Sequence, residues 1–422
     1  MTVTVSGNKL TGQTAIIASK SVVHRLLICA ALCREPTVIE GVSYSKDIEA
    51  TIACIREAFA DVTCEEHRIM VMPRGSCTVG ALLDCGESGS TLRFLLPILA
   101  ACGGARFTGR GRLAERPLTP IYPVLAEHGC RLSEEGKFPL TVEGVLHGQE
   151  FVIDGGLSSQ FVSGLLMAAP LLGTPCRIRV VGEMASYPYI VLTIDALKVF
   201  GVTVTQEGTT FTVDGAYRSP KQVYAEGDWS NAAFWLVGAA LSDSSAFSLS
   251  GLTADSGQGD RAIVSLLQQA GFTVQETDGV FGASGSGTTP LHVNAEAIPD
   301  LVPILAVLAT ALPGETVIDH AERLRHKESD RLESVAQMIK ALGGRVIITD
   351  DGLRIEGSPL SGGTVEAYND HRIVMSAAIA ALRCDGSVTI RGAEAVTKSY
   401  PTFFEEIEKR GMRVCHLSGD ET

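Results

Sequence analysis

The sequence predicts a mixed α/β fold, assembled from one unit that recurs about every 70 residues. The first observation is a repeated boundary: the end of a helix, a Gly, an apolar residue three positions later, a polar turn, and a short strand ending in Gly. It reads "HGCRLSEEGKFPLTVEG" from His128, "FGVTVTQEGTTFTVDG" from Phe200, "AGFTVQETDGVFGASG" from Ala270 and "LGGRVIITDDGLRIEG" from Leu342. The second observation is its spacing, because Gly129, Gly201, Gly271, Gly343 and Gly411 lie 72, 70, 72 and 68 residues apart. The third is size. A single core stops growing near ~250–300 residues, so a chain of 422 residues is expected to hold at least two domains.

The elements follow in order. "MTVTV" alternates apolar and polar residues, so the chain opens on a strand. A weaker first copy of the boundary, "FADVTCEEHRIMVMPRG", begins at Phe59, and "RGMRVCHLSG" from Arg410 is a truncated last one, giving six copies. Within each copy, Gly just past a helix supplies the left-handed residue that caps it. The strand pair that follows is a hairpin around a polar turn. Apolar helices entered through polar, Gly-rich turns complete the unit. A generic α/β chain whose boundaries recur by chance is the competing reading, and the regular spacing weighs against it.

Bulk properties narrow the function. The 48 acidic residues outnumber the 35 basic ones, for a formal net charge of −13, which argues against nucleic acid and anionic membranes as partners. No stretch approaches the ~18 clean apolar residues of a membrane span. The alternating start predicts neither a signal nor a transit peptide. The eleven cysteines form no C-x-x-C pair, and Cys29, Cys33 and Cys102 fall in apolar helical runs; reduced thiols in a cytoplasmic protein fit them best. The nine histidines have no metal-ligand spacing, so no metal is predicted. Any bound anion must be held by a local site, which suits a small molecule.

Such sites are suggested at helix starts. "ASKSVVHRLL" opens an apolar helix with Lys20, Ser21, His24 and Arg25 on one face about 140° wide. "GESGSTLRF" places Gly86, Gly89, Ser90, Thr91 and Arg93 similarly, and "LSSQF" places Ser158, Ser159 and Gln160. Asp228, Asp300, Asp370, His371, Arg372 and Lys398 continue the theme. Ser and Asp there are ordinary N-caps. Arg and Lys are not, since a cation in the first turn opposes the helix dipole by ~0.3–1 kcal/mol. Repeated conflict of this kind marks a functional site, and free backbone N–H groups beside Arg and Lys bind anions. Arg116 sits beside a proline-stiffened turn in "ERPLTP". "RLRHKESDR" packs Arg323, Arg325, His326, Lys327, Glu328 and Arg331 ahead of a helix. A solvated charged helix start with a plain Glu328–Arg331 pair is the bland reading. Lys327 beside Glu328 also offers an acid/base couple.

These residues carry a resemblance. "SKSVVHR", "GESGSTLR", "ERPLTP", "SSQF", "SYPY", "EGDWS", "IPD", "HKESDR", "YNDHR" and "TKSYP" occur in the order found in the EPSP synthase family, across residues 9 to about 401. The resemblance implies two similar domains, each of three βαβαββ units in an inside-out α/β barrel. Residues 1–18 and 228–422 would form one domain and 19–227 the other, with the active site in a cleft that closes on anionic substrate. It implies transfer of the enolpyruvyl group of phosphoenolpyruvate to the 5-hydroxyl of shikimate 3-phosphate, with release of phosphate, by a monomer that needs no metal or organic cofactor.

Carried over residue by residue, Lys20, Gly89, Arg116, Gln160, Arg331, Arg372 and Lys398 match the family's phosphoenolpyruvate contacts. Ser21, Arg25, Ser158, Ser159, Gln160, Ser186, Tyr189, Asp300 and Lys327 match its contacts to shikimate 3-phosphate. The chemistry asks for a base at the attacking hydroxyl and a proton for the enol methylene. It also asks for negative charge near the cation-like C2. The resemblance assigns Asp300 as base and Glu328 with Lys20 as proton relay, with His371 assisting. Glu87 stands where many relatives have Asn, and Arg323 at a position that varies among them; both complete the candidate set. Gly89 is the small residue that admits glyphosate in the family, so inhibition competitive with phosphoenolpyruvate is expected. Two other readings stand beside this one. The sister enzyme acting on UDP-N-acetylglucosamine usually has a Lys-Asn pair and a mobile-loop Cys, where this chain has Lys20-Ser21 and a Cys-free "GRLAERPLTP". A non-catalytic anion-binding protein would leave Asp300 and Glu328 unexplained, because carboxylates weaken anion binding.

Overall fold

The computed structural model describes residues 1–173, 175–242 and 246–417. The chain divides into two compact units, Met1–Ile17 with Gly227–Thr422, and Ala18–Glu226. Among the described residues the strands form six four-stranded sheets of a common plan. The plan is plainest in Glu150–Asp154, Cys176–Val181, Thr203–Glu207 and Thr210–Asp214. The first two strands run parallel, with Glu150 opposite Arg177, and the helix Ser159–Ala168 connects them. A second helix, Tyr187–Val199, leads into the hairpin, whose far strand returns antiparallel against Cys176–Val181. Each repeat is therefore βαβαββ.

Three repeats complete their sheets with distant strands. Gly12–Ala15 pairs parallel with Phe247–Ser250, so the first strand of that repeat precedes the unit Ala18–Glu226 and its first helix, Trp229–Leu241, follows it. Reciprocally, Gln222–Tyr224 pairs parallel with Thr37–Glu40. The truncated copy at Arg410 is explained the same way: its strand Arg413–Leu417 pairs antiparallel with Thr2–Ser6, at the other end of the chain. Ser418 and Gly419 of that copy lie outside the described residues.

Local chemistry accounts for the boundaries. The five repeat glycines all have φ between +79° and +101°, the left-handed region that only Gly adopts without a Cβ penalty. Asp278 and Gly279, both at positive φ, form the two-residue turn between Thr273–Thr277 and Val280–Ser284 that suits the twist of a hairpin. Strands alternate buried and exposed residues, as in Cys176–Val181, so each sheet gives one face to a core. The first helix of a repeat is buried almost all round: every residue of Trp229–Leu241 except Ser230 is buried, as is all of His371–Ala380. Trp229, Trp235 and Phe234 anchor one core; Phe94, Phe107, Phe151 and Phe161 anchor the other. A helix that is apolar on every side can present polar groups only at its ends, and that is where the candidate residues lie.

Candidate active site

Polar helix starts recur through the repeats. In the unit Ala18–Glu226, the helix Lys20–Ala31 begins with Lys20, whose Nζ lies 2.8 Å from Asp47 Oδ2. Asp47 is in the first turn of Lys46–Ala58, where a carboxylate complements the helix dipole. The helix Gly89–Ala101 is capped by Ser88 Oγ, which accepts from Thr91 N at 3.2 Å. A Cβ on Gly89 would stand 2.6 Å from Arg116 Nη1 and 2.8 Å from its Cζ. Only a residue without a side chain lets that buried guanidinium lie against this helix start. Ser158 caps Ser159–Ala168 through Gln160 N. The Gln160 amide is clamped by Arg93 Nη1 donating at 2.9 Å to Oε1 and by Nε2 donating at 2.8 Å to Ser90 Oγ. Ser186 precedes Tyr187–Val199 at φ +53°, a strained conformation for a residue with a Cβ.

In the other unit, three cationic side chains meet three carboxylates, and a fourth cation meets a backbone carbonyl. Arg331, at the start of Arg331–Ala341 and 1% exposed, donates Nε to Asp370 Oδ2 at 2.8 Å, Nη1 to Asp300 Oδ1 at 2.8 Å and Nη2 to Glu328 Oε2 at 2.7 Å. Arg372 Nη2 reaches Asp300 Oδ2 at 2.9 Å, and Lys327 Nζ lies 3.7 Å from Asp300 Oδ1. Lys398 Nζ donates to Asn369 O at 2.7 Å. Burial alone would raise the Asp300 carboxyl, but Arg372, Lys327 and Arg331 outweigh it and hold the group well below its ordinary range. Asp260, which accepts from Ser230, is pushed up to about 7 by burial and then by Asp300.

Repeat spacing explains how Asp300 came to be available. Asp228, Asp300 and Asp370 lie 72 and 70 residues apart. Asp228 and Asp370 cap their helices through Asn231 N and Arg372 N. At Asp300 the chain makes a 3₁₀ turn, Pro299–Leu301, before the helix Val302–Ala309, and the carboxylate turns to the cations. A cap position has been redirected.

Several sequence expectations are corrected. The polar quartet at Lys20 divides: His24 is fully buried against Thr51 rather than on the polar face. Arg25 is 2% exposed and ties Thr193 Oγ1, Ser21 O and Tyr189 O together, because its position in the second turn points it at the helix Tyr187–Val199. Lys398 ends a 3₁₀ turn, Ala393–Lys398, instead of starting a helix. Lys327 lies beside Asp300, and the Glu328–Arg331 pair is buried at its arginine, not a solvated face. Arg323 donates to Glu296 O at 2.8 Å, and the Glu87 carboxylate stands where a Cβ on Gly111 would meet it at 2.7 Å. Sequence reasoning missed Asp47, 27 residues from its partner, and the part played by Asp370 and Asp260. The 70-residue period could have found all three, since each stands at a polar helix start of its repeat.

Comparison with known proteins agrees across nearly the whole length. The family described as EPSP synthase (3-phosphoshikimate 1-carboxyvinyltransferase) matches residues 5–407. A 3-phosphoshikimate 1-carboxyvinyltransferase of Clostridium kluyveri is 39% identical over 418 residues, 98% of this chain and 98% of the relative. One of Clostridium acetobutylicum is 40% identical over 416 residues, 95% of each. The solved EPSP synthase of Acinetobacter baumannii has a TM-score of 0.79 at 26% identity, covering 98% of this chain and all of that one. The enolpyruvyl transferase NikO of Streptomyces tendae shares the fold, with a TM-score of 0.78 at 19% identity over 99% and 98% of the two chains.

Proposed function

The chain belongs to the EPSP synthase family, and from that premise we propose how its own residues divide the reaction. It transfers the enolpyruvyl group of phosphoenolpyruvate to the 5-hydroxyl of shikimate 3-phosphate and releases phosphate. In our reading, Lys20, Gly89 with Arg116, Gln160, Arg331, Arg372 and Lys398 hold phosphoenolpyruvate. Ser21, Arg25, Ser158, Ser159, Gln160, Ser186, Tyr189 and Lys327 hold shikimate 3-phosphate. The observation that carries the reading is the convergence of Arg331, Arg372 and Lys327 on the single carboxylate of Asp300. Without substrate these cations suppress its basicity. Substrate phosphate and carboxylate groups that draw the arginines away would restore it, so Asp300 becomes a base only once its substrates are in place.

Asp300 then takes the proton of the 5-hydroxyl as that oxygen bonds to C2 of phosphoenolpyruvate. Glu328 and Lys20 deliver a proton to C3, and His371 assists. Collapse of the adduct breaks the C2–O bond to phosphate and returns a proton from C3. Asp300 and Glu328 stabilise positive charge at C2. Glyphosate is read as a competitor for the phosphoenolpyruvate set. The protein is read as a cytoplasmic monomer. Its eleven free cysteines support a reducing compartment. No helix among the described residues is long and apolar enough to cross a membrane.

Phosphate release tests the reading. Release is expected only with phosphoenolpyruvate and shikimate 3-phosphate together, and it should persist with a chelator present. Release restored by UDP-N-acetylglucosamine in place of shikimate 3-phosphate would reject it.

A further inference from the structure

A file of four buried side chains links three helices of the unit Ala18–Glu226. His24 Nδ1 lies 2.7 Å from Thr51 Oγ1, Thr51 Oγ1 lies 2.6 Å from Thr91 Oγ1, and Thr91 Oγ1 lies 2.7 Å from Ser88 Oγ. His24, Thr51 and Thr91 are fully buried, and Ser88 is 1% exposed. Each hydroxyl has one proton to give, so the file must point one way. If Thr91 donates to Ser88, then Thr51 donates to Thr91 and His24 Nδ1–H donates to Thr51. In the opposite sense Nδ1 accepts and the ring proton sits on Nε2, which is buried with no hydrogen-bond partner among the described residues. An orphaned N–H is the costlier remainder. Burial and the nearby cations Lys20 and Arg25 keep the ring neutral, so one of its nitrogens carries no proton. The first sense prevails.

The file repeats a contact one turn deeper. Lys20 and Asp47 join the same two helices as His24 and Thr51, each pair four residues further on. Thr91 is two residues beyond Gly89, in the first turn of its helix. We propose that His24, as the Nδ1–H tautomer, is a positioning residue: through Thr51, Thr91 and Ser88 it fixes the helix starts that carry Lys20, Asp47 and Gly89 against one another. The proposal rests on the assignment of Lys20 and Gly89 to phosphoenolpyruvate. Misplacement by about 0.5 Å is enough to degrade such a site, whereas an apolar residue of equal size would serve packing alone.

The test compares His24→Leu, Thr51→Val and His24→Asn in the full-length protein, with melting temperatures recorded and ring ¹⁵N shifts measured on the wild type. His24→Leu and the isosteric Thr51→Val should each raise the KM for phosphoenolpyruvate at least about fivefold, with shikimate 3-phosphate affinity held within about twofold. His24→Asn keeps an N–H donor at the Nδ1 position and should restore KM. The ¹⁵N shifts should report a proton on Nδ1 and a bare Nε2. If His24→Leu fails to fold, Thr51→Val decides. An unchanged phosphoenolpyruvate KM in folded Thr51→Val, or a protonated Nε2, overturns the proposal. Lys20→Ala measured alongside separates the two readings: if it too leaves KM unchanged, the pocket assignment is what has failed.

Discussion

Gly89 illustrates how one missing side chain sets the position of a neighbour. The space its Cβ would occupy is filled by the Arg116 guanidinium, and that cation is the flexible end of a long side chain, so Gly89→Ala displaces Arg116 rather than the backbone. The substitution should raise the KM for phosphoenolpyruvate and raise the glyphosate inhibition constant by about tenfold or more (~1.4 kcal/mol). Inhibition kinetics with phosphoenolpyruvate varied check this, and an unchanged constant refutes it. Gly89 was legible in the sequence because a glycine opening an apolar helix is conspicuous. The identity of its neighbour was not, because Arg116 arrives from 27 residues away through a turn. Likewise His24 and Arg25 share a helix face with Lys20 on paper, but only packing against Thr51 and Thr193 decides which side chains turn inward.

At the level of elements, the polar ends of buried helices are what the sequence displays most clearly. Ser88, Ser158, Asp228 and Asp370 cap as residue type predicts. Asp300 stands at the same repeat position and does not cap, which is a departure only tertiary structure reveals. Asp260 lies at the start of the second helical segment of the repeat whose first helix is Trp229–Leu241, where Arg331 stands in the next repeat. Burial, reinforced by Asp300 and Asp228 and opposed by Arg372 and Ser230, lifts it from 3.8 to about 7. The folded state therefore holds a proton that the unfolded state has lost between those values, and stability falls as pH rises through that window. Asp260→Asn removes this loss. Its urea midpoint should exceed the wild type's by more at pH ~8 than at pH ~5, and an equal difference at both would contradict the assignment.

At the level of the whole molecule, the sequence announced six copies but not how the chain closes them. Long-range pairing did that: Gln222–Tyr224 completes the sheet of Thr37–Glu40, and Ser19 N donates to Glu226 O at 2.8 Å, so both ends of the unit Ala18–Glu226 meet. That stretch contains every strand of three complete sheets and a core of its own. Residues 18–226 expressed alone should therefore fold and melt cooperatively. A broad, non-cooperative melt would mean that the unit depends on the rest of the chain.

The proposed division of chemistry hinges on Asp300, whose carboxyl three cations hold well below its ordinary range. The most direct measurement is the turnover of Asp300→Ala by phosphate release, paired with calorimetric titration of shikimate 3-phosphate. Turnover should fall by about 10²–10⁴ while shikimate 3-phosphate still binds. Turnover within about tenfold of the wild type would contradict the assignment of Asp300 as the base.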